Sequence, residues 1–87
     1  MPARILSIEQ CQRISMVRQK IHELKLKNWC CEGKDGDRLV FFNNDEDCLF
    51  IADYYGNIVS RCNTRITPEL EQLAFLEGKI SRIAAET

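Results

Sequence analysis

The stretch 39-LVFFNNDEDCLFIADYYGNIVSRCN-63 decides the fold of this 87-residue chain. It holds two apolar runs rich in β-branched and aromatic residues, separated by an acidic segment and followed by a Gly-Asn pair. Runs of this composition, bounded by turn residues, are typical of consecutive antiparallel strands. The stretch therefore predicts three strands, over residues 38–43, 48–55 and 58–63, the last two joined by a two-residue type II′ turn at Gly56 and Asn57.

A helix is predicted on each side of these strands. Before them, Ser7 and Gln10 have the spacing of a capping box, so a helix begins at Ile8 and ends near Asn28. After them, Thr67 is a cap residue and Pro68 takes the first position of the last helix. Each helix has an apolar stripe at intervals of three and four residues. The two stripes are Cys11, Ile14, Val17, Ile21 and Leu24, and then Leu73, Leu76, Ile80 and Ile83.

Residues 29–32, Trp-Cys-Cys-Glu, are a candidate fourth strand at an edge of the sheet. The chain is long enough for one hydrophobic core, and we expect a single domain over residues 1–87. The predicted fold class is α+β. It is a two-layer domain with an antiparallel sheet of three to four strands, flanked in sequence by an N-terminal and a C-terminal amphipathic helix.

The turns predict a register for the strands. A five-residue loop at 43–47 places Phe41 opposite Leu49, and the two-residue turn places Tyr55 opposite Ile58. One face of the sheet then holds Leu39, Phe41, Leu49, Ile51, Tyr55, Ile58 and Cys62. The other holds Val40, Phe42, Cys48, Phe50, Ala52, Tyr54 and Val59. Both faces are apolar, whereas one side of a small antiparallel sheet is commonly wet.

Two helices that both pack on one face leave the second face in need of a cover. We therefore expect a non-catalytic protein-interaction module, acting as an accessory, adaptor or inhibitor of a larger protein or nucleoprotein assembly. A homodimer through the same face is the simplest arrangement. The expected partner-binding residues are Val40, Phe42, Phe50, Tyr54 and Val59.

The charges favour an alternative, nucleic-acid binding through the first helix. The formal net charge of −1 excludes a globally basic chain. However, residues 1–31 carry six basic side chains against two acidic ones, and residues 32–60 carry seven acidic ones against two basic. The candidate phosphate contacts are Arg13, Arg18, Lys20, Lys25 and Lys27.

Catalysis, metals and cofactors are not predicted. The single histidine, His22, has no recognisable nucleophile or orienting partner in the sequence, so neither an enzyme nor a small-molecule substrate is expected. The neighbours Cys30 and Cys31 leave a strand from opposite faces and cannot join one zinc site. The acidic segments 35–37 and 43–47 lie at opposite ends of a strand, and neither alone matches a calcium loop.

The chain is expected to be cytoplasmic and to have no contact with membranes. It has no apolar run near the ~18 residues of a membrane span, and its first residues lack the long apolar segment of a secretory signal. Five cysteines, an odd number with two adjacent, do not suggest a disulfide framework.

Overall fold

The computed structural model describes residues 5–86, apart from the side chains of residues 33–35. The prediction about a secretory signal therefore falls partly outside the described residues. In chain order the elements are α1 (Ile8–Glu23), β1 (Trp29–Asp35), β2 (Arg38–Asn43), β3 (Cys48–Asp53), β4 (Ile58–Cys62) and α2 (Pro68–Ala85). The predicted α+β fold is confirmed, with residues 29–32 forming part of a true edge strand.

Both helices begin where the cap residues predicted. The Ser7 hydroxyl accepts a hydrogen bond from the Gln10 amide at 3.0 Å, and Gln10 Oε1 accepts one from the Ser7 amide at 2.8 Å. The Thr67 hydroxyl accepts from the Leu70 amide at 3.2 Å. Helix α1 ends at Glu23, earlier than predicted, because the chain turns away through Lys25, whose φ is 56°. No helix within residues 5–86 is long and apolar enough to cross a membrane.

The two helices pack against each other in opposite directions. Gln10 near the start of α1 donates from Nε2 to the carbonyls of Ile83 and Glu86 at the end of α2, at 2.9 and 2.7 Å. Arg13 and Glu86 form an ion pair at 3.0 Å in the same place. Along the interface Ile14 and Val17 of α1 lie among the buried side chains of α2.

The four strands form one antiparallel sheet in the order β1-β2-β3-β4, but the predicted register between β2 and β3 is wrong by one residue. Phe41 lies opposite Phe50, not Leu49. The cause is Asn43, which pairs with Cys48 while its side-chain Oδ1 accepts from the amides of Asp45 and Glu46 at 2.9 and 3.0 Å. The loop thus has four residues, not five.

The predicted turn between β3 and β4 is also wrong. Strand β3 ends at Asp53, and the connection has four residues because Asp53 Oδ1 accepts from the amides of Tyr55 and Asn57, both at 2.9 Å. Leu49 therefore lies opposite Cys62, two residues away from the predicted pairing. A two-residue shift alone leaves side chains on their predicted faces, whereas a one-residue shift exchanges the faces. At the start of β4 a bulge adds a one-residue offset, so Ile58 lies opposite Ala52 and shares its face, not that of Ile51 as predicted.

Both helices lie on one side of the sheet, which we call the inner face. Its buried side chains are Leu39 and Phe41 of β2 with Phe50 and Ala52 of β3. Leu70, Leu73 and Ala74 of α2 complete this cluster, and Ile21 and Leu24 near the end of α1 pack against it. The rings of Phe41 and Phe50 are stacked with centroids 4.7 Å apart.

Candidate interaction surface

The other side of the sheet carries four apolar side chains, Val40, Phe42, Leu49 and Ile51, which we call the open face. They alternate along β2 and β3 with the buried residues of the inner face, and each is half-buried. Val40 lies opposite Ile51 and Phe42 opposite Leu49, so the four form one block. None of them belongs to either of the hydrophobic clusters formed by the described residues.

Small residues flank this block on the two outer strands. One row across the sheet runs Cys30, Phe42, Leu49, Cys62, and the next row ends in Ser60 on β4 beside Ile51. Small side chains at the edges leave the large apolar groups in the middle accessible to a flat partner.

Polar groups surround the block at the ends of the strands. Arg38 lies opposite Asp53 at one end, and the charge of Arg38 helps to lower the pKa of Asp53, although hydrogen bonds from Asn57 contribute most. At another corner the Cys30 thiol donates weakly to Glu32 Oε1 at 3.5 Å and Asn44 lies beside it. An apolar centre with a polar rim is the usual anatomy of a protein interface.

Three of the five predicted partner-binding residues are not on the open face. Phe50 has no exposed surface and belongs to the inner face, because of the one-residue register error. Tyr54 lies in the loop after β3, and its hydroxyl donates to the Gly36 carbonyl at 3.3 Å. Val59 is the unpaired residue of a β-bulge on the edge strand β4 and is exposed. The other two predicted residues, Val40 and Phe42, do lie on the open face.

Sequence reasoning placed Leu49 and Ile51 on the opposite face from Val40 and Phe42. One signal was present in the sequence, since an asparagine before a loop often accepts hydrogen bonds from the amides that follow it. If Asn43 is taken as a paired strand residue whose side chain accepts these hydrogen bonds, the sequence predicts a four-residue loop and the correct pairing of β2 with β3.

Comparisons of the chain with protein-family models, with curated proteins and with solved structures found no match.

The cysteines are spread over the molecule. Cys11 and Cys62 are exposed and Cys48 is buried, and none of the five is joined in a disulfide. Cys30 and Cys31 leave β1 from opposite faces, as predicted, since Cys30 is paired with Phe42 and Cys31 packs against the inner cluster. Among the described side chains, no group of three or more His, Cys, Asp or Glu is arranged to hold a metal ion.

The five basic residues of the nucleic-acid hypothesis lie in separate places. Arg13 and Lys20 line a shallow groove between the two helices, where the ion pair with Glu86 raises the pKa of Arg13. Lys25 and Lys27 line another groove, after the end of α1, together with His22. Arg18 acts electrostatically on Glu77 of α2, whose pKa is raised by burial. Phosphate binding by these residues stays a prediction.

Proposed function

We propose that the chain is a small non-catalytic protein-interaction module that binds a protein partner through the open face. The observation that carries the proposal is the position of the helices, which both cover the inner face while Val40, Phe42, Leu49 and Ile51 lie on the other side. Burial of apolar surface is the dominant favourable term in most protein–protein association. An accessory, adaptor or inhibitory role in a larger assembly fits a surface of this kind.

Five cysteines without a disulfide support a cytoplasmic location.

A second copy of the chain is the first partner to consider. The whole outer side of the sheet, with the open face at its centre, spans about 19 Å across four strands and about 17 Å along them, or roughly 320 Å² per copy before corrugation is counted. Stable complexes usually bury about 1,200–2,000 Å² in total. The open face alone therefore supports a weak dimer, or forms the centre of a larger interface with another protein.

Sedimentation equilibrium over a range of concentrations tests the dimer. We expect the apparent mass to rise with concentration for the native chain and to stay at the monomer value for Phe42→Thr combined with Leu49→Thr. Threonine is β-branched and favoured in strands, so circular dichroism should be unchanged. Met16→Thr is the matched control, since Met16 is an exposed apolar residue on α1.

A native chain that stays monomeric up to about 1 mM, well above the concentration at which micromolar dimers form, excludes self-association. A pull-down from the native extract then compares the chain with the double variant. Recovery of the same proteins by both would refute binding through the open face altogether.

A further inference from the structure

A second surface cluster lies where the loop after β3 meets α2. It consists of the exposed residues Tyr55 and Phe75 and the half-buried Arg82, and we call it the aromatic-arginine cluster. The Arg82 guanidinium carbon lies 4.6 Å from the centre of the Tyr55 ring and 5.6 Å from that of Phe75. Tyr55 is 65% exposed and Phe75 is 41% exposed, so both rings are open to a partner. Tyrosine and arginine are among the residues most enriched at the energetic centres of protein interfaces.

Two glycines bring the loop and the helix together. A Cβ at Gly78 in α2 would overlap the backbone of Tyr54, and a Cβ at Gly56 would lie 3.0 Å from the Cα of Phe75. Gly56 also has a φ of +85°, which other residues rarely adopt. This close approach places the Tyr54 carbonyl 3.0 Å from Arg82 Nε, which donates to it.

The hydrogen bond decides which part of the guanidinium faces a partner. Since Nε is used inside the molecule, the remaining donors are the two terminal nitrogens, Nη1 and Nη2. Two parallel N–H groups in a fixed plane match the two oxygens of a carboxylate. The one ion pair among the described residues joins Arg13 and Glu86, so no described carboxylate lies within 4.0 Å of Arg82.

We infer that the aromatic-arginine cluster binds an acidic side chain of a protein partner. The carboxylate is held end-on by Nη1 and Nη2 of Arg82, and an apolar neighbour in the partner packs on the rings of Tyr55 and Phe75. The cluster is distinct from the open face, so this inference does not depend on what covers that face.

The surrounding charges favour an acidic peptide over a polyanion. By helical spacing, Glu71 lies one turn before Phe75 on the same side of α2. Glu86, one turn after Arg82, is instead paired with Arg13 of α1. Lys79 lines the groove between α1 and α2, so at the cluster one basic side chain, Arg82, stands against one acidic side chain, Glu71. Nucleic acids and anionic membranes require several cations acting together, whereas a single carboxylate requires one.

Two-dimensional NMR with a defined probe tests the inference. The probe is the peptide acetyl-Leu-Asp-Leu-amide, and its matched control is acetyl-Leu-Asn-Leu-amide, which has the same shape without the charge. We expect the Nε–H signal of Arg82 and the backbone amides of Tyr55 and Phe75 to shift and saturate with the Asp peptide. Binding of the Asn peptide should be at least about fivefold weaker, because charge-assisted bidentate bonds are lost.

Variants locate the site. Arg82→Lys keeps the charge but loses the planar pair of donors, so affinity for the Asp peptide should fall at least about threefold. Lys79→Gln, which removes a charge from the groove between the helices and not from the cluster, should leave it unchanged. Equal binding of both peptides, shifts centred on other residues, or loss of binding in Lys79→Gln would each overturn the inference. Saturation by a DNA duplex or by phosphatidylserine vesicles at lower concentration than the Asp peptide would also do so. If Arg82→Lys does not fold, the comparison of the two peptides on the native chain decides alone.

Discussion

Replacement of Gly78 by alanine is the sharpest test of how the sheet and α2 are joined. Gly78 lies in the middle of α2, where an alanine would normally improve the helix by about 1 kcal/mol. Here the added methyl would overlap the carbonyl oxygen, carbonyl carbon and Cα of Tyr54. All three are backbone atoms, so no side-chain rotation relieves the overlap. The loop after β3 has to move away from the helix.

The expected free energy combines three effects. Overpacking of this kind costs about 1–3 kcal/mol. Displacing the loop also weakens the 3.0 Å hydrogen bond from Arg82 Nε to the Tyr54 carbonyl, worth about 1 kcal/mol. The helix-propensity gain offsets about 1 kcal/mol. We therefore expect Gly78→Ala to lower the free energy of unfolding by about 2 kcal/mol. For a chain of this size that corresponds to roughly 8–16 °C in Tm.

Urea unfolding followed by the fluorescence of Trp29 measures the effect, since this ring lies 5.2 Å from that of Phe50 in the inner cluster. The control is Gln72→Ala, an exposed position on the same helix, which should change stability by less than about 0.5 kcal/mol. If Gly78→Ala is as stable as the native chain or more so, the close approach of loop and helix is refuted. The geometry of the aromatic-arginine cluster would then have no support.

Two further predictions concern pH. Hydrogen bonds from Asn57 and from the Tyr55 amide lower the pKa of Asp53, so its stabilisation is present above the unfolded-state value of about 3.9 and is lost as the pH falls through the folded-state value. Asp53→Asn should lower Tm at pH 7 and flatten the profile below pH 4. Burial raises the pKa of Glu77, so its contribution is present below about pH 4.3 and is lost as the pH rises through the folded-state value. Glu77→Gln should raise the free energy of unfolding at pH 7 by less than about 1 kcal/mol, since the group is partly hydrated, and should therefore raise Tm at pH 7 but not at pH 3. Thermal melts from pH 2 to 7 check both, and effects of opposite sign would contradict the structure.

The helix starts were predictable because their determinants are local. Ser7 with Gln10, and Thr67 with Pro68, act within one turn of the residues they cap. The same is true of the strand positions, which follow from continuous apolar runs. A short chain segment contains all the interactions that decide these features.

The register was not predictable by loop length alone. In both loops a side chain from the preceding strand binds backbone amides two to four residues later, Asn43 in one and Asp53 in the other. Each of these bonds fixes a four-residue connection. The predicted connections, five residues after β2 and two residues after β3, would not bring these backbone amides to the side chains of Asn43 and Asp53. The predicted loop between β2 and β3 was one residue too long. The prediction therefore placed Phe50 on the open face, where the structure has Leu49 and Ile51.

The uncovered apolar face itself does not depend on the register, because β2 and β3 are apolar on both sides from residue 39 to 42 and from 48 to 52. The face stays uncovered because of how α2 packs. This helix buries Leu70 and Ala74 against the sheet and Leu76 and Ile83 against α1. A helix with two buried sides needs a second helix beside it, so α1 is held on the inner side by the interface with α2. The composition of α2, more than that of the sheet, is therefore the reason that neither helix covers the open face.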